Sequence, residues 1–160
     1  MSVDCFLKID DIKGEAQDHK HKEEIDVLAW SWGMTQSAST HVGGGGGSGK
    51  VSVQDLHVTK YIDKSTPVLI KFCSSGKHFK EALLTVRKAG DKPVEYVKLK
   101  MNEVIVSSIG TGGSGGEDRL TESLTLNFAK FEVIYTPQKA DGSPDAEVKQ
   151  EWNIATNTEK

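Results

Sequence analysis

Cysteine is scarce in this chain, two in 160 residues, and the two, Cys5 and Cys73, stand far apart. Such a pair builds neither a disulfide framework nor a metal knuckle, so both thiols are expected as buried small apolar groups. Aromatics make up only 7% of the residues, and histidine disappears altogether after His78. No apolar run approaches the roughly 18–20 residues that cross a bilayer, so membrane insertion is not expected. The opening residues, Met1-Ser2-Val3-Asp4-Cys5, lack a basic stretch followed by an apolar core. That predicts synthesis in the cytoplasm without a secretory signal peptide. A basic excess is missing too: 20 Lys+Arg stand against 23 Asp+Glu, a net charge of -3. So balanced a chain has little with which to neutralise phosphates, and nucleic acid is not an expected partner.

What the chain does have is glycine, unevenly placed. Eleven of its 16 glycines fall in residues 43–49 and 110–116. Hydrophobic residues reach 36% and charged ones 27%, with both signs interleaved. Residues 1–160 therefore read as one folded domain, near the usual domain length of about 100–150 residues.

The dominant period is two. Val3, Cys5, Leu7 and Ile9 alternate with other residues, as do Leu28, Trp30, Trp32 and Met34. Val51 and Val53 pass through a phase slip near Asp55 into Leu56 and Val58. Ala82 to Val86, Val97 to Met101, and Val104 with Val106 follow; Leu124 to Phe128 slips into Phe131 to Tyr135, and Trp152 and Ile154 close the pattern. Alternation of this kind marks half-buried strands, and slips within it mark bulges or a change of sheet. The fold class is mainly β, an antiparallel barrel or sandwich of about eight strands.

One segment departs from the period. Residues 66–76 read as a short helix, capped by Ser65 or Thr66, with Pro67 in its first turn and Gly76 at its end. Lys71 and Lys77 are expected to add favourable charge near its C-terminus. Too short to stand alone, the helix is expected to cover one opening of the barrel. Residues 10–24, 36–50, 110–119 and 138–147 are loops; the first is strongly polar and reads as a hairpin or long surface loop, its charged stretch around His19–Glu24 as flexible.

Several motifs fail on inspection. Gly44 to Lys50 matches the start of a phosphate-binding loop, but Val51 stands where Ser or Thr is needed, and a strand pattern follows instead of a helix. Gly112-Gly113-Ser114-Gly115-Gly116 matches a hydrolase nucleophile turn, yet no histidine follows it. His19 and His21, with Asp18, Glu23 and Glu24, are the one crowd of metal-ligand types, interrupted by Lys20 and Lys22; a solvated charged loop is the reading adopted. His41, His57 and His78 stand alone. Asp55, Asp63, Glu117 and Asp118 are carboxylates without a fixed separation, so no acid–base pair is assigned. No enzyme, cofactor or metal site is expected.

The longer strings are more telling. Glu24-Ile25-Asp26-Val27-Leu28-Ala29-Trp30-Ser31-Trp32-Gly33-Met34 is one. Val53-Gln54-Asp55-Leu56, residues 59–67, Ser74-Ser75-Gly76-Lys77-His78, Val106-Ser107-Ser108 and residues 112–122 are others. In this order they resemble the haemolysin-coregulated protein (Hcp) family, the tube protein of bacterial type VI secretion systems. The likeness runs from Val3 to about Lys139 and returns at Trp152-Asn153-Ile154.

That resemblance implies a small β-barrel with one helix on its side, six copies closing into a ring, and rings stacking into a hollow tube. A contracting sheath would drive the tube, tipped by a spike protein, into a neighbouring cell, with effector proteins in its lumen. It also implies export without a signal peptide. Self-association, spike, sheath and effectors are thus the expected partners. A ring subunit needs surfaces that meet other copies head to tail. The expected contact arm comprises Gln36, Thr40, His41, Gly43, Gly44, Gly45, Gly46, Gly47, Gly49 and Lys50. The second glycine loop is Gly112, Gly113, Ser114, Gly115 and Gly116. Trp30 and Trp32 are expected on the core face of their strand, leaving Ala29 and Ser31 on the opposite face, which lines either the lumen or the outer, sheath-contacting wall. The rival reading is a monomeric barrel binding a small apolar ligand in a roomy interior.

Overall fold

Period-two patterning becomes a strand wherever one face can be buried, and here a barrel buries it. The computed structural model describes residues 3–37, 50–88 and 93–160. Its elements, in order, are β1 (Val3–Ile9), β2 (Ile25–Ser31), β3 (Met34–Thr35), β4 (Ser52–Val53), β5 (Leu56–Tyr61), α1 (Thr66–Ser75), β6 (Phe79–Lys88), β7 (Glu95–Thr111), β8 (Thr121–Tyr135) and β9 (Val148–Asn153). Six strands close in the order β5-β2-β1-β6-β7-β8, because β8 also pairs with β5. Every pairing is antiparallel. β9 extends the sheet from β8, and β3 with β4 forms a separate two-stranded ribbon.

Cross-strand register builds the core in rungs. Ile25, Leu7, Leu84 and Leu99 are successive partners across β2, β1, β6 and β7. Leu56, Leu126 and Val106 make another rung across β5, β8 and β7. All seven side chains are at most 2% exposed. Together with Met101, Val104, Leu124, Phe128 and Phe131 they fill the interior. Among the described residues the barrel is packed with its own side chains, as small barrels are, so the roomy interior of the ligand-binding alternative is missing.

The phase slips have physical causes. Near Asp55 the chain changes sheet, from β4 in the ribbon to β5 in the barrel. In β7 the slip lies between Met101 and Val104, and in β8 between Phe131 and Phe128, the same level of the wall. Glu103 there adopts a left-handed backbone, φ 52°. The Trp152 segment returns to the sheet as β9, with Trp152 opposite Phe131, and the Ala129 carbonyl accepts the Ile154 N–H at 2.8 Å just beyond it.

β5 ends, and β6 begins, at one end of the barrel, and α1 connects them there, against β7. Leu69 is fully buried and belongs to the same core cluster as the barrel interior. Pro67 occupies the first turn and Gly76 ends the helix at φ 67°, as expected. The N-terminal cap differs. The Ser65 side chain makes no capping bond and reaches Asp63 instead, while Thr66 Oγ1 accepts the Asp63 N–H at 3.1 Å. Lys71 and Lys77 also fall outside the last turn; Lys77 lies over the Phe72 ring, 5.4 Å from its centre.

Candidate assembly surfaces

On β2 a bulge shifts the expected alternation at Leu28. The strand takes its phase from Ile25 and Val27, both buried, and a bulge follows between Val27 and Ala29. Leu28 is consequently 46% exposed. Trp30 stands opposite Val58 but stays 37% exposed, and so is no core residue. Trp32 lies beyond the strand and packs edge-on against Phe131, ring centres 4.9 Å apart. Trp30 lies on the same face as its inward-pointing partner Val58, and the bulge precedes both tryptophans, so it displaces Leu28 from the alternation and leaves Trp30 and Trp32 in phase. Ala29 and Ser31 are exposed and paired with Thr59 and His57 of β5.

The ribbon is the base of residues 36–50. Met34 pairs with Val53 and Thr35 with Ser52, and Gln36 and Lys50 leave it exposed. Thr40, His41, Gly43, Gly44, Gly45, Gly46, Gly47 and Gly49 lie outside the described residues. Beside the ribbon runs a groove of about 350 Å³ bordered by Met34, Val51, Phe131 and Trp152. β9 has no second strand partner among the described residues. Such an edge presents free N–H and C=O groups, a surface on which another chain can pair.

The second glycine loop joins β7 to β8, and residues 111–120 are all exposed. Of its glycines only Gly113 is crowded: a Cβ there would meet the end of the exposed Leu120 side chain at 2.3 Å and push it aside, whereas Gly112, Gly115 and Gly116 face open space. The Ser114 carbonyl accepts the Glu117 N–H at 3.2 Å, closing a turn. Asp55 and Asp63 flank β5 at opposite ends. Asp55 accepts from Ser107 and Asn127, while Asp63 bonds Ser65 and pairs with Lys60.

Two constellations were missed. The first is buried: Lys60 and Glu122 are cross-strand partners with wholly inaccessible side chains, and they form an ion pair. Thr66 donates to Glu122 at 2.7 Å, tying the start of α1 to both strands. Its signal lay in the alternation itself, since Leu56, Val58 and Lys60 point the same way.

The second is within residues 10–24, where the charged stretch read as flexible is folded into a hairpin-like strap. Gly14 N–H donates to Glu23 O at 2.8 Å and Glu23 N–H to Ala16 O at 3.0 Å. His21 is 7% exposed and stacks on Phe6, rings 4.4 Å apart, while His19 is exposed. Phe6 alternates with the core residue Leu7, so the strap covers the outside of β1 and β6. Arg87 joins it through Asp18, with Nη1 3.0 Å from Oδ1. This bond holds the Asp18 carboxyl well below the ordinary carboxylate range and raises the guanidinium. Cys5 and Cys73 are half-buried thiols; burial pushes the Cys5 thiol up, a bond to Trp30 offsets part of that, and the Asp4 charge adds to it.

Comparison with known proteins decides the family. The family described as "Type VI secretion system effector, Hcp" matches residues 6–135. The chain belongs to the Hcp family. It is 64% identical to protein hcp1 of Pseudomonas aeruginosa over 161 residues, 99% of each chain. The crystal structure of Hcp1 from Salmonella typhimurium superposes with a TM-score of 0.80 at 35% identity, covering 100% of both chains. A type VI secretion system effector from Yersinia pestis gives 0.78 at 35% identity, over 94% of this chain and 100% of that one. This is a structural protein of the type VI secretion system, and the family implies oligomeric tube assembly. No helix among the described residues is long and apolar enough to cross a membrane.

Proposed function

We propose that six copies of this chain close into a ring and that rings stack into the hollow inner tube, which is propelled with its spike into target cells. Effector proteins ride in the lumen. The observation that carries this reading is the likeness to Hcp1 along the whole chain, 64% identity over 99% of its length. The edge of β9, which has no second strand partner among the described residues, and the separate β3–β4 ribbon, both suited to meeting other copies, support it. Residues 36–50 are the arm that packs on an adjacent subunit or ring, and residues 112–116 a second contact loop. Ala29 and Ser31 line the lumen, where small side chains leave room for cargo. The role is assembly without catalysis, and the protein, made in the cytoplasm, leaves through the secretion machine itself.

Size-exclusion chromatography with light scattering tests the ring directly. Particles of roughly six copies, seen as annuli in electron micrographs, are the expected result, since closed cyclic assembly gives one discrete mass. A monomer at all concentrations rejects the proposal. Deleting residues 43–47 tests the arm: rings and stacks that form unchanged remove it.

A further inference from the structure

A neutral imidazole offers one N–H donor and one lone-pair nitrogen. His21 presents both nitrogens to carboxylates. Nδ1 lies 3.0 Å from each oxygen of Glu24, and Nε2 lies 2.7 Å from Glu95 Oε1. Carboxylates only accept when ionised, so both bonds exist together only when both nitrogens carry protons. The ring is nearly parallel to Phe6, at 9°, an arrangement in which a cationic ring gains from the aromatic face.

We propose that residues 10–24 form a proton-operated strap, closed over the barrel wall when His21 is an imidazolium and released when it loses that proton. Glu24 belongs to the strap itself, whereas Glu95 belongs to β7, 74 residues beyond His21. The ring therefore bolts strap to barrel. The other charges at the bolt are Asp18 on the strap, Arg87 on β6, Asp4 on β1 and Lys98 on β7. Arg87 pairs with Asp18 and, at 3.3 Å, with Asp4, and it lies over the Phe6 ring that His21 stacks on. Lys98 is 3.3 Å from Glu95. Burial pushes the Glu95 carboxyl up, but the bond from His21 and the charges of His21 and Lys98 outweigh it and hold it below its ordinary value. Arg87 thus keeps Asp18 ionised, while His21 and Lys98 together keep Glu95 so.

The strap needs such a bolt. Near either end it carries a non-glycine residue in the left-handed region, Asp11 at φ 63° and Glu23 at φ 65°, which contacts elsewhere must sustain. After His21 loses its second proton, one carboxylate faces a bare nitrogen lone pair and repels it. The bolt therefore holds below the pH at which His21 releases that proton and is lost as the pH rises through it.

Hydrogen exchange on the intact protein reads the strap amides of Gly14, Ala16 and Glu23, corrected for intrinsic pH dependence, from mildly acid to mildly alkaline solution. Protection should fall by about ten- to hundredfold from the acid to the alkaline side, the scale of a lost charge-assisted bond. His21→Phe keeps the stack on Phe6 but has no proton to lose, so its strap should be weakly and equally protected at both ends. A wild-type profile without the fall overturns the proposal, as does the same fall in His21→Phe. Nitrogen-15 spectra of the His21 ring give an independent reading on the wild type: two protonated nitrogens with the strap closed are expected, and one protonated nitrogen overturns the assignment.

Discussion

Lys60 and Glu122 face each other across β5 and β8 with 0% of either side chain exposed. The ammonium also donates to the Tyr61 carbonyl at 2.9 Å and lies 3.2 Å from Asp63. Breaking such a pair strands a charge where water cannot reach it. Lys60→Met should lower stability by about 3–5 kcal/mol, and Glu122→Leu by a similar amount. The double variant should lose less than the sum, since the Lys60–Glu122 pair is removed as a unit and only Asp63 is left without its cation. Chemical denaturation of the three variants forms the cycle; additive losses would exclude coupling.

The Asp18–Arg87 bond sets an acid limit for the strap. A carboxyl held below its unfolded value contributes stability above that value, about 3.9, and loses it as the pH falls further. The difference in denaturation midpoint between wild type and Asp18→Asn should be largest near neutrality and shrink toward zero in acid. A constant difference would assign the effect to packing.

Helix α1 divides sharply between two neighbours. Leu69 is fully buried, while Ile70 is 42% exposed. Leu69→Ala should cost about 2–5 kcal/mol by opening a cavity in the shared core. Ile70→Ala, losing little contact, should stay within about 0.5 kcal/mol, the range of ordinary surface changes. Equal losses would mean that the helix is not seated by Leu69.

Three glycines should respond differently to one added methyl group. At Gly14 it would meet the Glu24 carbonyl oxygen at 2.5 Å, a backbone atom that cannot rotate away. Gly14→Ala should displace the strap, seen as loss of Gly14 and Ala16 exchange protection. At Gly113 the obstacle is the Leu120 side chain, so a Leu120→Ala change should restore what Gly113→Ala loses. Gly112 faces open space, and Gly112→Ala should leave stability unchanged or slightly raised.

Much of the barrel was legible because alternation reports burial directly. Leu7 and Ile9, Leu84 and Val86, and Leu124 and Leu126 point inward as their period predicts. Sequence reading failed where an insertion resets the phase, as at Leu28, since a bulge leaves no residue signature of its own. It failed again at residues 10–24. Polar composition predicts solvent exposure, but Arg87 and His21 are buried by partners on other strands, with Glu95 74 residues from the histidine. Charge balance across such distances is invisible to a local pattern. The contact arm is a separate matter: Gln36 and Lys50 fix where it leaves the ribbon, while residues 38–49 lie outside the described part of the chain.

The dual pairing of β8 bears on how the chain is made. Its first half pairs with β5 and its second half with β9, while β7 runs along its length. A ribosome that has delivered residues as far as Thr111 has supplied five of the six barrel strands but not the closing one, so β5 and β7 both present bare edges. Non-local closure of this kind is slow, and open edges invite pairing with other nascent chains. The stretch between the synthesis of β7 and that of β8 is therefore the interval in which this chain most needs shielding by a chaperone.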